Sequence, residues 1–394
     1  MNGTPDFLVI GGGVIGLCTA LALRDRFAKA SIMVIEKEAR CGMHASGRNS
    51  GVLHAGFYYG EDSLKARFSV QGNRRMTEFC EARSLPINRC GKLVVSRNEA
   101  EEHALDELLR RGQANGVDVE LISADDAREI EPRVRTTNRA LFSPTTASVN
   151  PGLVMGALES DVRSRGCEVL LSTSYRGRDV DGVRTSAGTV SAGFVVNAAG
   201  LHADRVARDF GFSEHHRILP FKGLYLHSDE PPGSLRTHVY PVPDLDMPFL
   251  GVHMTLTADG RTMVGPTAMP ALWRENYGGM AGFSGRELAQ VVAREAALFA
   301  RNVRFRRLAR RELPKMFRRV LAGQASELIT GVRQEQFRLW GRPGIRAQLL
   351  DTRSGQLDMD FRVQGDAHST HVLNAVSPAF TCAFPFAEWL VAQI

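Results

Sequence analysis

The 394-residue chain has six cysteines, at positions 18, 41, 80, 90, 167 and 382, and no two of them stand in a C-x-x-C spacing. That scatter excludes a disulfide framework and a zinc site built on paired thiols. No apolar run reaches the roughly eighteen residues that a membrane-spanning helix needs. Residues 7–23 are the only strongly apolar stretch near the start. They follow Asp6 instead of a basic segment and contain glycines, so they read as core and not as a secretory leader. Internal repeats and low-complexity tracts are missing as well. A reducing cytoplasm is the simplest home for such a chain.

The composition is that of an ordinary globular protein, 43% hydrophobic and 23% charged. The length exceeds the roughly 250–300 residues at which single cores stop growing, so two domains are expected. The net charge of +6 is unevenly spread: between Arg301 and Arg319 nine basic residues face one acid, Glu312. A solvated helical face is the plain reading, and an anionic membrane surface is the next. Only Phe305 and Phe317 interleave with the arginines. Nucleic acid is therefore the weakest candidate, and none is expected as a partner.

Near the N-terminus the chain reads Leu8-Val-Ile-Gly11-Gly-Gly13-Val14-Ile15-Gly16, and Glu36 and Lys37 follow Ile32-Met-Val-Ile35. This pattern predicts a strand, a glycine turn, a helix and a second strand ending on a carboxylate. Gly11 permits the tight turn, Gly13 lets the backbone approach a pyrophosphate, and Gly16 lets helix and strand pack closely. The helix N-terminus, opened by Val14 and Ile15, offers free N–H groups to phosphate. Glu36 stands where an acceptor for ribose hydroxyls is expected. The fingerprint alone does not separate NAD from FAD.

Further along, Gly42-Met-His44-Ala-Ser46-Gly-Arg48-Asn49-Ser50-Gly51 is too small and polar for core and reads as a loop laid against something. Residues 63–83 and 99–115 look helical, and Leu93-Val-Val95, Glu168-Val-Leu-Leu171 and Gly193-Phe-Val-Val-Asn197 look like strands. The last of these leaves through Ala198-Ala199-Gly200, again a strand turning through small residues into a helix. The expected fold is α/β with two domains. A Rossmann-like cofactor domain with a central parallel sheet is discontinuous, built from 1–83, 150–212 and 344–394. A substrate domain with a mixed or antiparallel sheet and helices takes 84–149 and 213–343.

The chain resembles the FAD-dependent oxidoreductases of the D-amino-acid oxidase superfamily, and within them most nearly the L-2-hydroxyglutarate dehydrogenases/oxidases. The likeness rests on Asn49-Ser-Gly-Val-Leu-His54-Ala-Gly-Phe-Tyr58-Tyr59, Ser63-Leu-Lys65-Ala, Cys90-Gly-Lys92-Leu, Pro220-Phe-Lys222-Gly, Tyr240-Pro-Val-Pro-Asp, Pro248-Phe-Leu-Gly-Val-His253, Gly344-Ile-Arg346-Ala-Gln and Asn374-Ala-Val-Ser377-Pro378. It covers nearly the whole length. It implies FAD, because in this family the loop at 42–51 runs beside the flavin. It also implies oxidation of an L-2-hydroxy acid to the 2-oxo acid, with a quinone or oxygen as electron acceptor. The sequence departs from the family pattern at Arg48, Lys222, Leu224, Thr267 to Tyr277, Phe380 and Cys382, where substrate contacts are expected.

Such a reaction needs a carboxylate clamp, a base, a hydride acceptor and exclusion of water. Arg346 is the expected clamp, since its planar fork holds a carboxylate through two parallel hydrogen bonds. His54 and His253 compete as the base, because imidazole titrates near neutral pH. Tyr240, Tyr58 and Tyr59 are candidates for hydrogen bonds to substrate or flavin. Lys65, Lys222 and Arg48 are candidates for a second carboxylate. Ser46, Asn49, Ser50 and Gly51 are expected against pyrophosphate and flavin, with Ala199 and Gly200 small where backbone passes the cofactor and Ser377 and Pro378 near the ring. In relatives that tether FAD covalently a histidine stands in a comparable Trp-His-Ala-Ala-Gly setting to His44; Met43 replaces the tryptophan here, so non-covalent FAD is expected. The rivals are an amine or amino-acid oxidase of the same superfamily, and a flavin-binding protein whose main task is docking on a membrane or RNA through 301–319.

Overall fold

A computed structural model describes residues 4–244 and 251–394. The segment 248–250 of the sixth family motif therefore lies outside the described residues. The chain divides into two compact units, one from Met1–Asn49, Pro151–Pro220 and Arg346–Ile394, the other from Ser50–Asn150 and Phe221–Ile345.

The first unit is built on a six-stranded sheet in the order Arg362–Gly365, Ser369–Asn374, Phe194–Asn197, Phe7–Ile10, Ile32–Ile35, Glu168–Leu170. All neighbours pair in parallel except the edge strand Arg362–Gly365. The central strands read FLVI and IMVI and are buried along their whole length. Continuous apolar runs of this kind belong to parallel strands covered on both faces. The helix Val14–Arg26 is buried from Val14 to Leu23 and is apolar around its circumference. A three-stranded antiparallel meander, Tyr175–Asp179, Gly182–Thr185 and Gly188–Val190, also belongs to this unit. Its Val183 and Val190 join Leu8, Ile10 and Ile35 in one apolar cluster.

The second unit is built on an eight-stranded mixed sheet ordered Phe337–Trp340, Leu226–Ser228, Thr262–Gly265, His253–Leu256, His238–Pro241, Lys92–Val95, Arg139–Ser143, Glu120–Ser123. Only Lys92–Val95 and His238–Pro241 pair in parallel. Successive side chains of a strand point to opposite faces. Leu93, Val95, Val239 and Met254 accordingly meet Leu321, Ala325 and Leu328 in one core. Val94 and Tyr240 meet Leu105, Leu108, Phe57 and Tyr58 in another.

Two expectations need correction. Residues 50–83 group with the second unit, not the first. The reason is hydrogen bonding: Val52–Leu53 pairs with Ala147–Val149, which also pairs with Ile87–Asn88. The Asn73 amide, on the helix Leu64–Ala82, donates to the carbonyls of Leu53 at 3.0 Å and Thr145 at 3.2 Å. The stretch 301–319 is not one helix either. Val303–Glu312 ends in a short 3-10 turn, Leu313–Met316, and a new helix begins at Arg318. Pro314 supplies no backbone donor to continue the first helix.

Candidate functional site: a dinucleotide cradle and a buried basic cluster

In the first unit, Gly11 has φ +112°, and a Cβ there would stand 2.6 Å from the Ala198 carbonyl oxygen. At Gly16 an added Cβ would lie 1.9 Å from the Gly11 oxygen. No L side chain fits either place, so strand, turn and helix approach as a dinucleotide fingerprint requires. Gly13 is the N-cap of the helix and has no side-chain cap. The Ser46 hydroxyl supplies one instead, accepting from the Val14 N–H at 2.9 Å. Glu36, 7% exposed, accepts from the Gly12 N–H at 2.8 Å through one oxygen and from the Glu38 N–H at 2.9 Å through the other. These bonds fix the carboxylate at the end of its strand and leave each oxygen a further lone pair. A glycine turn too close-packed for any Cβ, a helix N-terminus capped from the following loop and a fixed carboxylate together suit the adenosine and pyrophosphate portion of FAD.

The loop that follows is held by its own polar groups. The Asn49 amide donates back to Ala45 O at 3.2 Å and Ser46 O at 2.8 Å, closing the turn Ala45–Gly47. Arg48 Nε donates to Met43 O at 2.7 Å. Glu38 engages both Lys37 and His44, the latter at 2.9 Å, and Lys37 holds its carboxyl below the usual range. Gly200, φ +52°, has no atom within 4 Å of an added Cβ, so the strand exit faces open space. Arg346 is half-buried on Gly344–Asp351. After Ser369–Asn374, Ser377 is exposed and Pro378 buried. The chain passes between units at 49/50, so Ser50 and Gly51 belong to the second unit. There Ser50 Oγ accepts from the Val52 N–H at 3.4 Å and Gly51 O from the Val149 N–H at 2.9 Å.

In the second unit the register builds a cluster on one sheet face. Lys92 pairs with His238 across parallel strands, and Val239 pairs with Met254 across antiparallel ones. Lys92, His238 and Tyr240 therefore share a face with His253 and Thr255. Tyr240 and His253 stack with centroids 3.6 Å apart and planes 14° apart. The segment after Val52–Leu53 covers this face with His54, Phe57 and Tyr58, all buried. Lys92 Nζ lies 4.3 Å from the Tyr240 ring centroid, 5.3 Å from that of Tyr58 and 5.6 Å from that of Phe57.

Burial and Lys92 push His54 and His253 well below the ordinary imidazole range, and His238 down to about 3. His238 Nδ1 accepts from the Leu256 N–H at 3.0 Å, so its proton sits on Nε2, 3.3 Å from Ser148 Oγ. His253 Nδ1 is 3.0 Å from Gly251 O, which can only accept, so the ring's lone pair is on Nε2. Two imidazoles held neutral, His54 and His253, are what a proton acceptor at neutral pH requires. Burial keeps the phenols of Tyr58 and Tyr240 protonated. Lys65 is buried and lies 5.7 Å from the Tyr59 ring centroid. Lys222 Nζ donates to Asn276 Oδ1 at 2.9 Å.

The structure thus brings His54, His253, Tyr240 and Tyr58 together, and Arg346 belongs to the other unit. Sequence reasoning passed over Lys92 and His238. The signal was available: a lysine opening the apolar run Lys92-Leu-Val-Val95 is out of place on a buried strand.

Residues 6–393 match the family model described as FAD dependent oxidoreductase. The chain belongs to this family. It is 34% identical to L-2-hydroxyglutarate dehydrogenase of Escherichia coli K12, over 99% of this chain and 93% of that protein. It is 32% identical to the mitochondrial L-2-hydroxyglutarate dehydrogenase of Homo sapiens, over 99% and 88%. Among solved structures, the L-alpha-glycerophosphate oxidase of Mycoplasma pneumoniae with FAD bound superposes with a TM-score of 0.76 at 20% identity, covering 99% of this chain and 94% of that one. Glycine oxidase of Geobacillus kaustophilus gives 0.71 at 20% identity with the same coverage. The cofactor is FAD, and the two-unit α/β fold is that of the family's oxidases.

Proposed function

We propose that the protein oxidises an L-2-hydroxy acid, foremost L-2-hydroxyglutarate, to the corresponding 2-oxo acid. The observation that carries this reading is one-third identity over nearly the whole chain to enzymes named for that substrate in bacteria and animals. Bound FAD supplies the hydride acceptor. Gly11, Gly13, Gly16, Glu36 and the 44–49 loop hold it, non-covalently, with His44 engaged by Glu38. His54 or His253 accepts the hydroxyl proton, since both are buried in neutral form. Arg346 holds the substrate's C1 carboxylate. Lys65, Lys222 and Arg48 are the cations for a second carboxylate, and Tyr59 and Tyr240 orient the substrate. Reoxidation is by a quinone or by oxygen.

An amino-acid oxidase would share the clamp and the flavin. The second unit's cluster argues against it, because the charged and titratable groups that bear on Lys92 and His238 among the described residues are Cys90 and Lys92, not a carboxylate. A dye-reduction panel of 2-hydroxy acids and amino acids tests the reading. Turnover confined to hydroxy diacids supports it, and turnover of amino acids alone overturns it.

Among the described residues no helix is long and apolar enough to cross a membrane. Peripheral contact is supported by the stretch 299–319, where Phe299, Val303, Leu313, Met316 and Phe317 are exposed among arginines. Apolar side chains set among cations suit an anionic lipid surface. Co-sedimentation with anionic vesicles, lost in Phe317→Asp, is the expected result. Equal binding to neutral vesicles would contradict it.

A further inference from the structure

Lys92 is fully buried, and its Nζ has no hydrogen-bond partner among the described residues. A bare amine in a protein core costs several kcal/mol unless something in the fold makes use of it. The three rings around it give the one clue to that use. Phe57, Tyr58 and Tyr240 present aromatic surfaces within 4.3 to 5.6 Å of Nζ. Aromatic faces attract an ammonium and do little for a neutral amine. The cage therefore favours the charged form against the desolvation that opposes it.

The other groups on this face are also bases. His54 comes from the segment covering the sheet, His238 from the neighbouring strand and His253 from the strand beyond, with Cys90 two residues before Lys92 and Ser143 opposite it. Tyr58, Tyr240 and Thr255 line it too, and none of the groups named here carries a negative charge at neutral pH. With no carboxylate among these named groups, the cluster tolerates about one positive charge before substrate binds, because each further proton meets the first in a medium of low dielectric. The amine takes that proton first: its intrinsic affinity is the highest of the four, and it faces three aromatic rings where His253 stacks on one.

We infer that Lys92 is an electrostatic positioning residue, whose caged ammonium adds to burial in keeping His54 and His253 in the neutral form in which an imidazole can accept a proton. The consequence for turnover rests on the histidine-base reading above, whereas the charge order within the cluster does not. Burial sets Lys92 itself at about 7, close enough to neutrality for its charge to be present at working pH. His253 fixes its own acceptor atom through the Gly251 carbonyl, so Lys92 has only to govern its charge.

The test is a pH titration of the FAD-loaded protein by ¹⁵N NMR of labelled histidine and lysine, in the wild type and in Lys92→Met. In the wild type the Lys92 ammonium should form on acidification before either His54 or His253 gains a proton. Lys92→Met should move the His54 and His253 transitions up by about one pH unit or more. The acid limb of kcat/KM should rise by the same interval. Histidine transitions unchanged in the variant, or a histidine protonating before Lys92 in the wild type, would overturn the inference. If the variant does not fold, the order of protonation in the wild type still decides. Shifted histidine transitions with an unmoved acid limb would leave Lys92's role intact and refute the histidine-base reading instead.

Discussion

Replacing Lys92 by methionine should stabilise the protein, and by an amount that depends on pH. Methionine keeps most of the side-chain volume and sits well against aromatic rings. In the folded chain burial lowers the amine from 10.5 to about 7. An unfolded chain therefore binds this proton between those limits where the native state does not, and stability rises with pH across that window. At about 1.4 kcal/mol per pH unit, the penalty has a ceiling of about 4 kcal/mol at pH 7 and about 2 kcal/mol at pH 9. Lys92→Met removes it. The variant's advantage over the wild type should thus be larger at pH 7 than at pH 9 by about 2 kcal/mol, and half of that is still measurable. Urea midpoints of the FAD-loaded protein at the two pH values, with m-values compared, give the number. A variant equally destabilised at both values would refute the claim that Lys92 is a charge buried at a cost.

The same linkage acts below neutrality. His54, His238 and His253 are buried neutral, so the unfolded chain gains protons below 6.5 that the native state refuses. Stability should fall on acidification by up to about 1.4 kcal/mol per pH unit for each of them, and a flat urea midpoint between pH 6.5 and 5 would contradict this. Gly16→Ala places a Cβ 1.9 Å from a backbone oxygen and should yield protein without flavin, read from the ratio of absorbance at 450 and 280 nm; full flavin content would show that the turn can open. Glu36→Gln keeps the geometry of the strand end but loses a charged acceptor, so FAD affinity should drop about tenfold or more by equilibrium dialysis. Arg346→Ala should abolish turnover with flavin content kept, and unchanged turnover would remove Arg346 from the site.

What could be read from the sequence was what is encoded locally. The glycines at 11 and 16 announce the cradle because no side chain fits their places, and the acid at 36 because it ends its strand where it accepts from the Gly12 N–H. The buried strands IMVI and FLVI announce a parallel sheet by lacking polar alternation. The unit boundary at 49/50 was not legible, because the pairing of Val52–Leu53 with Ala147–Val149 joins residues almost a hundred positions apart. The break at Pro314 was legible and was overridden by the run of arginines around it. The basic cluster escaped for a related reason. Lys92, His238 and His253 lie on three strands, and only the register places them on one face.

The central claim is that an L-2-hydroxy acid delivers its electrons to the bound flavin. The direct measurement is to add L-2-hydroxyglutarate to the purified protein without oxygen while following flavin absorbance. Rapid bleaching with the L-isomer and none with the D-isomer is the predicted result. A protein that carries FAD and is bleached by neither isomer would contradict the account.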